Sequence, residues 1–242
     1  MIIIGVESSA VAASAAVLKD GVIVSECYLN AGLTHSQTLM TLIDGAMRNA
    51  GITVKDADAF AVAHGPGSFT GIRIGVSAVK GLSFPNNTPC FGVSTLEAMA
   101  YCADAEDCVI CPVMDARCQQ VYTALFKKED GAIRRLTEDE PLRLEELAER
   151  LTAYDGTVLL IGDGTAPAYG YLSQKTDRVR KFSGIFLSQR ASGVAMAAWN
   201  MYNKGITPRG GAELQPVYLR LPQAERELKQ KNAAKETKES AT

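Results

Sequence analysis

The segment Gly65-Pro66-Gly67-Ser68-Phe69-Thr70-Gly71-Ile72-Arg73-Ile74-Gly75 limits the possible folds more than any other part of the chain. It follows Phe60-Ala61-Val62-Ala63, which reads as a buried strand, and it opens a stretch over 69–82 whose apolar residues recur at helical spacing. A strand that turns sharply through glycine into a helix is a building unit of α/β sheets. Such a turn frees backbone N–H groups, and with the helix dipole they can hold an anion. Gly65, Gly67 and Ser68 are the candidate anion-site residues, with Ser68 as the N-cap. The competing reading is purely structural: Gly65 and Gly67 permit a tight turn, while Gly71 and Gly75, four apart, let another helix approach closely. On spacing alone the structural reading weighs more. The P-loop's Gly-Lys-Ser/Thr ending is absent, and the dinucleotide fingerprint fails because its third glycine falls one residue late and 88–93 holds no acid for a ribose.

Around this turn the first half reads as strands at 2–7, 12–18 and 22–29, with Lys19-Asp20-Gly21 as a hairpin turn. A helix at 36–50 stops at Gly51, and a strand at 60–63, the helix at 69–82, a strand at 90–93 and a helix from Thr95 follow. The second half repeats the order, with strands at 108–114, 120–127 and 133–136, a helix at 143–152, a strand at 158–161 and a helix at 188–203. Strands in a run, then alternating helix and strand, done twice, predict an α/β protein of two duplicated lobes, each a mixed sheet flanked by helices. The expected lobes are 1–105 and 106–220, followed by a flexible charged tail at 221–242.

A formal net charge of -2 gives the whole chain no electrostatic reason to bind a polyanion. Met1 to Val6 reads as a strand without a basic leader, and no apolar run approaches the roughly 20 residues of a membrane span. The expected location is therefore the cytoplasm, where thiols stay reduced. Of the cysteines, only Cys108 and Cys111 have a suggestive spacing, and on a strand they point to opposite faces, which cannot close a tetrahedral metal site. His35 and His64 belong to no ligand spacing; His64, ending the strand before the glycine turn, is a weaker candidate for anion contact than for a structural hydrogen bond. No cofactor and no metal are expected.

Together with Glu7-Ser8-Ser9, the glycine string resembles the TsaB (YeaZ) family and its paralogue TsaD, members of the actin, hexokinase and heat-shock ATPase superfamily. Gly92-Val93-Ser94-Thr95-Leu96-Glu97, Met114-Asp115-Ala116-Arg117 with Val121-Tyr122, Gly162-Asp163-Gly164 and Pro216-Val217-Tyr218-Leu219-Arg220 extend the resemblance to about residue 220. It implies actin-like lobes. The family usually starts with Asp where this chain has Glu7, and Gly162-Asp163-Gly164 resembles a worn adenosine loop. In TsaD a Val-Asn-His-x-x-x-His run lies where this chain has Val93 to Met99, so Thr95 and Met99 stand at the two histidine positions. A hydroxyl and a thioether are poor ligands for such an ion. The resemblance thus implies a scaffold that kept its shape and lost its metal centre, a non-catalytic protein.

The resemblance also implies partners. TsaB pairs with TsaD through the first helices of the N-terminal lobe; TsaE, an ATPase, binds across the pair; tRNA is reached only through the complex; and the chain self-pairs as a homodimer when alone. On the helix at 36–50, Leu39, Ile43 and Met47 trace one apolar stripe that Met40 and Leu42 widen, and Gly71, Gly75 and Ala78 make a smooth strip on the next. These six stripe and strip residues are the expected interface. The implied role is to assist transfer of threonylcarbamoyl to the tRNA adenosine next to the anticodon. The rival readings are a metal-dependent glycoprotease-like peptidase and an actin-like small-molecule kinase.

Overall fold

The computed structural model describes residues 1–103, 105–117, 119–129, 132–182 and 187–220. The tail expected at 221–242 lies outside the described residues. The first half comprises β1 (Ile2–Glu7), β2 (Ala13–Lys19), β3 (Val22–Leu29), α1 (His35–Asn49), β4 (Ala59–Gly65), α2 (Phe69–Ser83), β5 (Cys90–Ser94) and α3 (Thr95–Cys102). The second comprises β6 (Val109–Asp115), β7 (Gln120–Thr123), β8 (Phe126–Glu129), β9 (Ala132–Arg135), β10 (Glu140–Arg143), α4 (Leu144–Leu151), β11 (Val158–Ile161), α5 (Thr165–Leu172), β12 (Val179–Lys181) and α6 (Ala191–Asn203).

The duplication predicted from the element order is visible in the sheets. The first runs β3-β2-β1-β4-β5 and the second β10-β7-β6-β11-β12, with the β8–β9 hairpin added beside β6. In both, the first strand of the half pairs antiparallel with the next and parallel with the strand that follows a helix. Asp20 at φ 49 and Gly21 at φ 82 make the tight β2–β3 turn, the paired left-handed residues that a two-residue hairpin prefers.

Buried on both faces, β1 is apolar almost throughout. Ile4 and Val6 join α1 and α2 in one core, and Ile3 joins α6 in another. Residues 191–203, read from the sequence with the second lobe, therefore cover the second face of the first sheet. Conversely α3 leans on β6 and crosses α6, so the third helix of each half joins the two lobes.

Five elements differ from the sequence reading. The strand expected at 120–127 breaks at Ala124-Leu125 into β7 and β8, and the Leu125 N–H donates to Thr137 Oγ1 instead of to a ladder partner. The helix expected at 188–203 starts at Ala191, because Arg190 is extended (φ -139, ψ 144). β10, α5 and β12 had no counterpart in the periodicity. No helix among the described residues is long and apolar enough to cross a membrane.

Candidate functional site

The matching topology brings four equivalent ends to one place. β1 ends at Glu7 and β6 at Asp115; β4 turns into α2 at 65–68, and β11 turns into α5 at 162–164. A cavity of about 550 Å3 opens there, lined by Ser9, Ser68, Asp115, Arg117, Asp163 and Arg220 among others.

The glycine turn is held by the chain itself. Gly65 and Gly67 sit at φ +137 and +154, and a Cβ on them would lie 2.1 Å from the Val217 carbonyl and 2.5 Å from the Ser9 carbonyl. Ser68 caps α2 as predicted, its hydroxyl accepting from the Gly71 N–H at 3.2 Å. The Ser68 N–H donates to the Ser9 carbonyl at 2.6 Å. The Ser68 N–H is thus committed internally, while its hydroxyl accepts from Gly71 and keeps its own proton to donate.

Asp115 and Asp163 line the cavity, and Glu7 lies next to it, bonded to the lining Ser9. Glu7 is fully buried; its Oε1 accepts from the Ser9 N–H at 2.5 Å and its Oε2 has no partner. Burial pushes its pKa up to about 7, and Asp163 adds to the rise. Asp163 accepts from Gln189 Nε2 at 2.8 Å, and desolvation raises its pKa as well. Asp115 accepts from the Arg117 N–H at 2.7 Å. Two acids, Asp115 and Asp163, and two arginines, Arg117 and Arg220, line the cavity, so its charge is mixed.

A strap across the cleft was not legible as such in the sequence, where 216–220 appeared only as part of a resemblance. The Val217 N–H donates to the His64 carbonyl at 2.7 Å, and Tyr218 stacks on Phe69 with ring centroids 4.6 Å apart. Arg73 Nε donates to the Tyr218 hydroxyl at 2.7 Å, and the Arg73 guanidinium lies 3.8 Å over Phe69. Arg220 reaches the second lobe, donating to the Ala116 carbonyl at 2.6 Å. His64 hydrogen-bonds with the Gln215 backbone, and burial lowers its pKa. Its contacts are with the strap, which matches the structural reading of this histidine.

Thr95 and Met99 are core residues, 0% and 1% exposed. Beside them an ion-pair network joins the lobes. Ser94 Oγ donates to Asp139 at 2.5 Å, and Arg135 bridges Asp139 at 2.5 Å and Glu97 at 3.1 Å while lying 4.7 Å over Phe126. Among the described residues no group of three histidine, cysteine or acidic side chains could hold a metal ion. Cys111 is buried 3.4 Å from Thr123 Oγ1, and burial pushes its thiol up to about 12.

The expected partner-facing residues fall elsewhere than on the surface. Leu39, Ile43 and Met47 belong to the core that also holds Ile4, Val6 and Val62. Their period of four faces the chain's own sheet, so they leave no side chain for a partner. Gly71 and Gly75 are filled by the β1–β2 turn: a Cβ at Gly71 would lie 2.1 Å from the Ser8 carbonyl, and one at Gly75 would lie 2.5 Å from Ser8 Oγ. Ala78 is half-buried at the margin of the same core. The apolar surplus on α1 that does reach the surface is Met40, 49% exposed.

Two mixed sheets of one topology, joined by crossing helices and meeting at a cleft lined by two strand-to-helix turns, define an actin-like α/β protein. A family model described as TsaD, tRNA N6-adenosine threonylcarbamoyltransferase, matches residues 29–227. The tRNA threonylcarbamoyladenosine biosynthesis protein TsaB of Bacillus subtilis is 28% identical over 225 residues, 93% of this chain and 96% of that one. TsaB of Escherichia coli is 30% identical over 91% of this chain and 95% of that protein. The structure of YeaZ from Pseudomonas aeruginosa superposes with a TM-score of 0.76 at 24% identity, covering 90% of this chain and 99% of that one. The chain belongs to the TsaB (YeaZ) family, as its motifs led us to expect.

Proposed function

We propose that this chain is the non-catalytic subunit that works with TsaD, and with TsaE, in transferring threonylcarbamoyl to the tRNA adenosine next to the anticodon, in the cytoplasm. The observation that carries the reading is the fate of Thr95 and Met99: both are packed into the apolar core, at the two positions where the resemblance to TsaD sets histidines. An ion needs several strong donors facing a common point; Met99 packs among Leu96, Ile110 and Phe126, and the buried Thr95 hydroxyl beside it is a single weak ligand. The same observation speaks against a metal-dependent peptidase.

The names of the relatives in B. subtilis and E. coli, which describe tRNA threonylcarbamoyladenosine biosynthesis proteins, support the pathway. The partner face on this reading is the outward side of α1 and α2, around Met40 and Thr41, which are exposed. The core stripe behind it sets only its rigidity. The same face serves a homodimer when TsaD is absent.

The test is reconstitution of tRNA modification from this chain, TsaD, TsaE, tRNA and the threonylcarbamoyl adenylate, with single omissions. Omitting this chain should abolish modification, and full modification without it would overturn the reading. Met40→Asp with Thr41→Arg should prevent co-purification with TsaD while leaving the thermal midpoint of the isolated chain unchanged, because both side chains are exposed.

A further inference from the structure

We propose that the outer edge of the second sheet, formed by Lys175, Arg180 and Lys181, is a contact surface for the sugar–phosphate backbone of RNA. This rests on the tRNA-modification reading above and assigns to this chain a direct share in holding the nucleic acid. Residues 175–181 carry four cations (Lys175, Arg178, Arg180 and Lys181) against the single acid Asp177, in a chain whose formal net charge is -2. The concentration is local and falls on β12, the last strand of its sheet among the described residues.

Cations are commonly neutralised by direct ion pairs; Glu145 and Glu149 line the same pocket as Lys175 and Arg178 but form no ion pair with them. Arg178 has only Asp155 at 3.9 Å, at the limit of an ion pair, and donates to the Tyr154 carbonyl. Lys175, Arg180 and Lys181 make no ion pair with any described residue, and all three are exposed. They are nevertheless held in place. Arg180 donates to the carbonyls of Asp177 and Val179, Lys181 lies 4.7 Å over the Tyr169 ring, and Lys175 lies 5.7 Å from that of Tyr171. Partly anchored charges lose less freedom on binding than mobile ones. Val179 is buried against the helical side of the sheet, so strand alternation sets Lys181 on that side and Arg180 on the other. The charges therefore straddle the sheet edge instead of covering a flat face, as a curved polyanion passing along the edge requires. Phosphate contact of this kind positions RNA without reading its sequence.

The experiment uses the full chain in its complex with TsaD, a tRNA transcript as the probe, and binding isotherms over a series of KCl concentrations. Each lost phosphate contact should lower the slope of log affinity against log salt by about 0.7–0.9, so K175A/R180A/K181A should lower it by about 2 and weaken binding roughly tenfold or more near 0.1 M salt. In the wild-type complex, saturating tRNA should protect Lys175 and Lys181 from acetylation, a readout independent of any variant. An unchanged slope together with unprotected lysines overturns the proposal while leaving the function intact if wild-type reconstitution succeeds. If the triple variant instead loses TsaD on co-purification, the edge is a protein interface and the RNA assignment is wrong. Failure of the wild-type chain to support modification removes the functional reading, and the proposal with it, by a different signature.

Discussion

Replacing Arg135 with methionine removes the one cation that bridges Glu97 on α3 and Asp139 before β10, while the methionine stem keeps the packing over Phe126. A salt bridge broken in a dry interior costs about 3–5 kcal/mol, and an exposed one contributes about 0–1 kcal/mol. Here the arginine is 25% exposed and its partners 23% and 18%, so water reaches the uncompensated carboxylates in part. The expected loss is about 2 kcal/mol. For a chain of this size each kcal/mol shifts the thermal midpoint by about 2–4 °C, which predicts a fall of roughly 4–8 °C at neutral pH and low salt. Far-ultraviolet circular dichroism melts measure it. Arg135→Lys should fall between, since an ammonium keeps the charge but cannot fork between two acids. Adding Glu97→Gln and Asp139→Asn to Arg135→Met should recover part of the loss, because the cost lies in the stranded carboxylates. A drop below about 1 °C, or a triple variant no more stable than Arg135→Met, would show that the network does not brace the lobes.

Glu7 gives a pH signature. Its folded pKa is raised to about 7 from 4.5, so its contribution is fully present below pH 4.5 and is lost as the pH climbs through 7. The stability of Glu7→Gln relative to wild type should therefore rise by about 3 kcal/mol between pH 4.5 and 8. Urea midpoints across that range measure it, and a pH-independent difference would mean the carboxyl is not desolvated. Gly71→Ala should cost about 2 kcal/mol or more in the same assay, since its Cβ would lie 2.1 Å from the Ser8 carbonyl and the backbone must shift to receive it. A neutral outcome would mean that α2 and the β1–β2 turn are not in contact.

The duplicated architecture was legible because both halves repeat a period that side-chain burial enforces locally: β1, β4 and β6 are almost wholly apolar, and α1 and α2 each carry one core stripe. The elements that escaped are those where other requirements override the period. Pro167 and Gly170 stand inside α5, where the proline occupies the first turn and needs no hydrogen bond as a donor. β12 spans three residues, too few for alternation to emerge, and β10 is Glu140-Pro141-Leu142-Arg143, with one apolar side chain flanked by a proline and charges. The strap was hidden for a different reason. Phe69 and Tyr218, or Arg73 and the Tyr218 hydroxyl, are distant in sequence, and nothing in either segment alone names the other.

The glycine string shows why motif and mechanism separate. A ligand turn and a packing turn make the same demand on sequence, the absence of a Cβ, so spacing cannot distinguish them. Coordinates can: each of Gly65, Gly67, Gly71 and Gly75 faces an atom of this chain, at Val217, Ser9 or Ser8, closer than any Cβ would tolerate. Close packing by itself accounts for the glycines of the string. The α1 stripe follows the same logic, because a period of four over Leu39, Ile43 and Met47 describes a face without saying whether its neighbour is one's own sheet or another protein. The residue that does separate the cases is the one breaking the period: Met40, apolar and exposed on a helix already fully served by its core. A chain whose glycines pack and whose Thr95 and Met99 are buried has committed its motifs to shape, which is why the contacts we propose lie on the surface, at Met40 and along β12.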